Sequence, residues 1–321
     1  GSDTAFLTLL GNDTPAVYTG RSPLEAAGMG VLVKPGEVTF RLNLAAVEDA
    51  GLQEGRMLSH NGGGIDGEDA WTLIHALIDH PAFRKVAEPA RLVIHPTDTF
   101  RHVAVLPSDE TDFVLDPPHD IIGQRVSEHL PRGARSDLMR AIYRASFEVL
   151  NHHPVNERRR AKGLMPANCA WLWGAGTACV LPNFTEKYGA KGTVVSAVPL
   201  VKGIARLGGL KAPDYPFATG LLDTGYEEKV AAALSALAGG DDFALVHLEA
   251  PDEMSHDGSL ENKLESIRRL DRRVVAPLLD KLPLLDDFRL LLMPDHYTLL
   301  STRTHDGTPV PFALYDSRRP G

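Results

Sequence analysis

The chain has almost no cysteine. Cys169 and Cys179 are its only two, too few for a disulfide framework and without the C-x-x-C spacing of a redox or zinc motif, which argues against cross-linking and thiolate metal sites. No apolar run approaches the ~18–20 residues that cross a bilayer, and the first residues carry neither the basic nor the apolar region of a secretory signal. A reduced, cytoplasmic setting with no membrane attachment is the expectation. Positive charge is in deficit: 33 Lys and Arg against 42 Asp and Glu give a formal net charge of -9. That balance argues against a broad nucleic-acid surface but leaves room for a local basic pocket, so the expected partner is small and phosphorylated. Internal repeats and low-complexity segments are absent.

What is present is ample for folding. With 321 residues, 43% of them hydrophobic, the chain can bury a substantial core as one large domain or two of ordinary size. Val38-Thr-Phe-Arg-Leu-Asn-Leu44 alternates with the period of a half-buried strand, and Leu92-Val-Ile-His95 and His102-Val-Ala-Val-Leu106 have the same character, which predicts strands of one sheet. The segment 5–11 suits a helix or turn. The spacing of Trp71, Ile74, Leu77 and Ile78 predicts a helix over 66–82, and that of Leu138, Ile142, Ala145, Phe147 and Val149 a second over 136–150. After a polar stretch at 151–162, apolar runs at 170–174, 193–198 and 243–248 alternate with helical patterns and read as parallel strands buried on both faces. A boundary is therefore expected near 150–165. An amphipathic helix should follow over 260–282, where Leu264, Ile267, Leu270, Val274, Leu278 and Leu282 repeat at three- and four-residue intervals.

The residues richest in chemistry lie beyond position 250. Asp252 and His256 are four apart, so one helical turn or a tight loop can aim a carboxylate oxygen and an imidazole nitrogen at one cation. Asp295 and His296 follow the apolar run at 289–293, where a buried strand would end, and neighbours at a strand end point in different directions. With His305 in the next loop, five ligands of the right types are available for two divalent ions. Binuclear sites of this kind catalyse transfer at phosphorus or hydrolysis.

Several segments carry a more specific signal: Ser2-Asp3-Thr-Ala-Phe-Leu-Thr-Leu-Leu-Gly11, Tyr18-Thr-Gly-Arg-Ser-Pro-Leu-Glu-Ala26, Phe40-Arg-Leu-Asn43, Glu249-Ala-Pro-Asp-Glu-Met-Ser-His256, and Asp295-His296 with His305-Asp-Gly-Thr-Pro-Val-Pro311. In this order the chain resembles the archaeal-type cofactor-independent phosphoglycerate mutases of the alkaline-phosphatase superfamily. The resemblance implies an α/β protein: an alkaline-phosphatase-like core, a mostly parallel sheet flanked by helices, from residues 1–27 and 159–321. A smaller inserted α+β domain, 28–158, would grip the substrate and close to exclude water. It also implies interconversion of 3-phosphoglycerate and 2-phosphoglycerate through a phosphoserine at Ser2. Asp252, His256 and His305 would hold one ion and Asp295, His296 and Ser2 the other, commonly manganese or zinc, with no organic cofactor. The family's chain opens with a strand whose Asp completes the second metal set, several tens of residues before the nucleophile, whereas only Gly1 precedes Ser2 here. Either the sequence is part of a longer one or the second site lacks a ligand.

The substrate grip should consist of guanidinium groups, which pair bidentately with carboxylate or phosphate. Arg41, in the Phe-Arg-x-Asn segment, ranks first, followed by Arg101 and the run Arg158 to Arg160. His60 sits in a glycine-rich turn, residues 59–64, whose N–H groups could meet an anion, and Lys202 could reach a phosphate from the core side. The same nucleophile and metals would also serve a homoserine-kinase-like phosphotransferase, a phosphatase, or a non-catalytic relative that binds a phosphorylated metabolite.

Overall fold

The computed structural model describes residues 1–319. It is a mixed α/β protein whose contacts divide it into two compact units, one of Gly1–Tyr18, Ala27–Gly30 and Cys179–Gly321, the other of Thr19–Ala26 and Val31–Ala178.

The unit containing residues 31–178 is built on the strand Glu37–Val47. Its β-branched, aromatic and aliphatic residues favour a pleated surface, and it pairs antiparallel with Arg101–Pro107 on one side and Cys169–Thr177 on the other. Val93–His95 extends the sheet beyond Arg101–Pro107, and Met57–Ser59 pairs with the far end of the central strand. The predicted helices form as Gly67–Asp79 and Ser136–Leu150. The second lays Met139, Ile142, Tyr143 and Ser146 on the sheet, where the Tyr143 hydroxyl donates to the Leu172 carbonyl at 2.7 Å. Leu73, Leu77, Phe83, Phe40, Leu42 and Trp171 complete one continuous core.

Two expectations change here. The segment 38–44 is not half-buried but covered on both faces, with Thr39 and Asn43 nearly as buried as Phe40 and Leu42, because Ser22 bonds Thr39, Glu25 pairs with Arg41 and the His60 carbonyl takes Asn43. The run at 170–174 belongs to an antiparallel strand of this sheet, not to a parallel one, so residues 159–178 fall in this unit, beyond the 28–158 span expected for the insert.

The other unit contains the parallel pair Gly192–Val195 and Phe243–Val246, flanked by the helices Pro199–Leu207 and Tyr226–Ala238. Among the described residues the remaining strands of this unit form two antiparallel pairs, Arg289–Leu292 with Ala313–Asp316 and Tyr297–Leu299 with Thr304–Asp306. The apolar run at 289–293 was expected to be buried. As one strand of a two-stranded ribbon it packs mainly through Leu290, leaving Leu291 and Leu292 51% and 42% exposed. The amphipathic pattern over 260–282 is realised as Leu260–Leu270, a π turn at Asp271–Val275, and Ala276–Lys281, with Val274 and Leu278 packed on Tyr226 and Val230. No described helix is long and apolar enough to cross a membrane.

Candidate functional site

Short local elements bring the predicted ligands of the first unit together. Asp252 stands in the first turn of the helix Ala250–His256 and His256 at its end, so both side chains project from one face. The hairpin 297–306 sets His305 opposite Thr298, and the Arg303 carbonyl at its turn bonds His256 Nδ1 at 2.8 Å. His256 Nε2 lies 3.3 Å from Asp252 Oδ2, His305 Nε2 lies 3.4 Å from Asp252 Oδ1, and the two imidazole nitrogens are 3.1 Å apart. The Thr298 hydroxyl donates to Asp252 Oδ1, which fixes the carboxylate.

His296 joins this group from the strand end. Its ring lies 3.8 Å from that of His305, centroid to centroid, and its Nε2 is 2.9 Å from Ser2 Oγ and 3.2 Å from Asp295 Oδ2. Ser2 opens the helix Ser2–Leu9, anchored by buried Phe6 and Leu7, and so sits at the electropositive end of that helix. The six residues named from sequence thus converge as two groups, Asp252 with His256 and His305, and Ser2 with Asp295 and His296, each linked by contacts of 3.4 Å or less. The two groups meet where the His296 and His305 rings lie against each other.

The donor set suits a divalent cation. One ligand atom from each of Asp252, His296 and His305 lies within 4.8 Å of the others, as do carboxylate oxygens of Glu249, Asp252 and Glu253. Burial, together with His296 and His256, lowers the pKa of His305 against the opposing pull of Asp252, so its lone pair is available near neutral pH. Mixed oxygen and nitrogen donors are compatible with manganese or zinc.

Two residues beneath this cluster were not picked out from sequence. His247, the lone ionisable residue in the apolar segment 243–248, bonds Ser196 Oγ through Nδ1 at 3.0 Å and takes the edge of Phe6. Burial pushes its pKa down. Lys229, only 1% exposed, donates to the carbonyls of Thr219 and His247 at 3.2 Å, and burial lowers its pKa to about 8. For His247 a polar residue interrupting an apolar run was the available signal; Lys229, after two glutamates, offered none.

The second unit gathers a different group. Arg41 Nε donates to Glu25 at 2.8 Å while its guanidinium carbon sits 3.9 Å from the centre of the Trp173 ring. Trp173 Nε1 donates to Asn43 Oδ1 at 3.1 Å, and Asn43 Nδ2 to the His60 carbonyl at 2.9 Å. His119 packs edge-on between Trp173 and His60, and Arg101 lies over Phe100, whose ring meets His60. Burial, then His119, Arg101 and Arg41, depress the His60 pKa. Arg41, His60 and Arg101 therefore share one cationic neighbourhood.

Other sequence candidates have different work. The glycine-rich turn directs two of its N–H groups inward: Gly63 donates to Ser59 Oγ and Gly64 to Asn61 Oδ1, both at 3.0 Å, which shapes the backbone at His60. Arg159 is buried and holds the Gly62 and Met165 carbonyls, while Arg158 pairs with Asp69 and Arg160 with Asp49. Lys202, on the helix Pro199–Leu207, spends its ammonium on Asp214.

Known proteins place this arrangement in a lineage. Residues 1–156 match the family described as 2,3-bisphosphoglycerate-independent phosphoglycerate mutase. A protein of that name from Methanothrix thermoacetophila is 43% identical over 99% of this chain and 77% of its own length. The chain belongs to the 2,3-bisphosphoglycerate-independent phosphoglycerate mutase family. A relative from Geobacter sulfurreducens, named as a probable member, is 41% identical over 98% of this chain and 77% of its own. The solved structure of a Pyrococcus horikoshii protein superposes with a TM-score of 0.73 at 29% identity, covering 98% of this chain and 73% of that one. The fold is also similar to that of a cofactor-independent phosphoglycerate mutase from Thermoplasma acidophilum, at a TM-score of 0.56 and 23% identity over 98% and 76% of the two chains.

Proposed function

We propose that the chain is a metal-dependent phosphoglycerate mutase that interconverts 3-phosphoglycerate and 2-phosphoglycerate through a phosphoserine at Ser2. The observation that carries this reading is the 2.9 Å approach of Ser2 Oγ to His296 Nε2, within a web of carboxylate and imidazole donors, in a chain of this family. Asp252, His256 and His305 would hold one ion and Asp295 and His296, with Ser2, another, in a core of the alkaline-phosphatase type. Divalent ions there would neutralise charge on the phosphoryl oxygens and depress the pKa of the serine hydroxyl.

The chain's own groups do the rest. A neutral serine is a weak nucleophile, and the positive end of its helix favours the negative charge Oγ carries once its proton is lost; Oγ then bonds phosphorus as the substrate P–O bond breaks, and the leaving glycerate oxygen takes up a proton. The released glycerate then offers its other hydroxyl to the phosphoserine, the Ser2 P–O bond breaks, and the isomer forms without net hydrolysis. Arg41, Arg101 and His60 in the other unit are the proposed grip on the anionic substrate, since a guanidinium fork matches carboxylate and phosphate.

The test is to follow 2-phosphoglycerate formation from 3-phosphoglycerate alongside free phosphate, with manganese-loaded protein. Isomerisation without phosphate release is the expected outcome. Phosphate release alone would make the protein a phosphatase, and neither product would make it a binding relative.

A further inference from the structure

The recognition cluster contains a residue that does not belong there on charge alone. Arg21, Arg41 and Arg101 all act electrostatically on one carboxylate, Glu25, and in a site meant for an anionic substrate a fixed negative charge repels the ligand. Its geometry shows what it contributes instead. Glu25 lies four residues after Arg21 on the helix Arg21–Gly28, with its side chain 14% exposed. Oε1 takes Arg21 Nε at 2.7 Å and Oε2 takes Arg41 Nε at 2.8 Å, so each oxygen fixes one arginine by the nitrogen nearest its stem.

For Arg41 this leaves little freedom. The Trp173 ring lies 3.9 Å from the guanidinium carbon and confines it on one side, while the ion pair with Glu25 Oε2 holds Nε at 2.8 Å. Among the described residues, no other protein group bonds the Arg41 side chain, so its two terminal nitrogens form a fork whose orientation is fixed before any ligand arrives. Ordering a long side chain on binding costs affinity, and prior ordering removes that cost.

We infer that Glu25 is a positioning residue for substrate recognition, holding the Arg41 fork, and Arg21 beside it, in the orientation that meets the substrate's anionic group. The inference rests on the mutase reading above. It makes a prediction whose sign runs against simple Coulomb attraction. Glu25→Gln removes a negative charge and by electrostatics alone would tighten anion binding. Gln can accept from only one of the two Nε–H groups, and its amide opposes the other, so one arginine is released and binding weakens.

The experiment measures kcat and KM for 3-phosphoglycerate with Glu25→Gln, Glu25→Asp and Arg41→Ala in the manganese-loaded full chain. A parallel fluorescence titration with 3-phosphoglycerate is informative because Trp71, Trp171 and Trp173 all lie in this unit. Glu25→Gln should raise KM and the fluorescence Kd about tenfold with kcat within about twofold, and Glu25→Asp, which keeps the charge, should fall between it and the parent. Should Glu25→Gln fail to fold, Glu25→Asp carries the test through the same split. If Arg41→Ala weakens binding while both Glu25 variants bind as well as the parent or better, Glu25 does not position the fork. If Arg41→Ala itself binds normally, the proposed grip is wrong whatever Glu25 does.

Discussion

His102 gives the sharpest quantitative prediction. It is 2% exposed on the strand Arg101–Pro107, and its Nδ1 accepts the Thr97 N–H at 3.0 Å, which places the ring proton on Nε2. Thr97 Oγ1 in turn donates to the Arg101 carbonyl at 2.6 Å, so this imidazole anchors the turn that presents Arg101. Burial, assisted by nearby His75, lowers the pKa of His102 from 6.5 to about 3. A histidine whose folded pKa is depressed takes up a proton more readily when unfolded. Its contribution to stability is therefore complete above pH 6.5 and is lost on acidification until the folded pKa is reached. Well below pH 6.5 each pH unit costs about 1.4 kcal/mol, so going from neutral pH to about pH 4.5 costs roughly 2.5 kcal/mol. His102→Asn keeps an acceptor for Thr97 but cannot titrate. The assay is urea unfolding followed by tryptophan emission, which reports this unit because all three tryptophans lie in it. The variant should start less stable than the parent through lost packing, and the gap should close by roughly 2.5 kcal/mol at about pH 4.5. Parallel stability curves across that range would refute the reasoning.

Gly62 has φ of 58°, and a Cβ there would lie 2.7 Å from Ala167 Cβ and 2.9 Å from the Leu44 carbonyl oxygen. Gly62→Ala should cost about 2–3 kcal/mol in urea unfolding, whereas Gly64→Ala, whose Cβ would meet nothing within 4 Å, should cost only about 1–2 kcal/mol for its left-handed backbone. Equal losses at the two positions would contradict the packing argument. Asp252→Ala removes the oxygens shared by Thr298, His256 and His305; metal analysis after dialysis should show at least one manganese equivalent lost per chain, and undiminished content would show that the cation is held elsewhere.

Local pattern made much of this fold legible. The helix Ser136–Leu150 has the bounds its apolar spacing predicts, and the alternation at 38–44 marks a strand. What period alone cannot reveal is what covers each face. Thr39, Arg41 and Asn43, the polar half of that alternation, read as a solvent face. Instead they bond Ser22, Glu25 and the His60 carbonyl, and that covered polar face carries the proposed recognition cluster. The convergence of these side chains was legible in Asp252 and His256, four residues apart, in Asp295 and His296, adjacent after an apolar run, and in His305 in the next loop. Glu25 and Asn43, though within quoted segments, were given no role, nor was Trp173, since a helix, a central strand and an antiparallel strand distant in sequence bring them together. Lys202 shows the converse, a lysine chosen for its reach that has a nearer carboxylate in Asp214.

The claim that Ser2 carries the transferred phosphoryl group has a direct test. Manganese-loaded protein is mixed with 3-phosphoglycerate, quenched in acid within milliseconds, and the peptide carrying Ser2 is examined by mass spectrometry. The account predicts a phosphoryl group on Ser2 that appears before isomerisation reaches equilibrium and is absent, together with product, in Ser2→Ala. Full isomerase activity in Ser2→Ala, or a phosphoryl group found only on another residue, would contradict it.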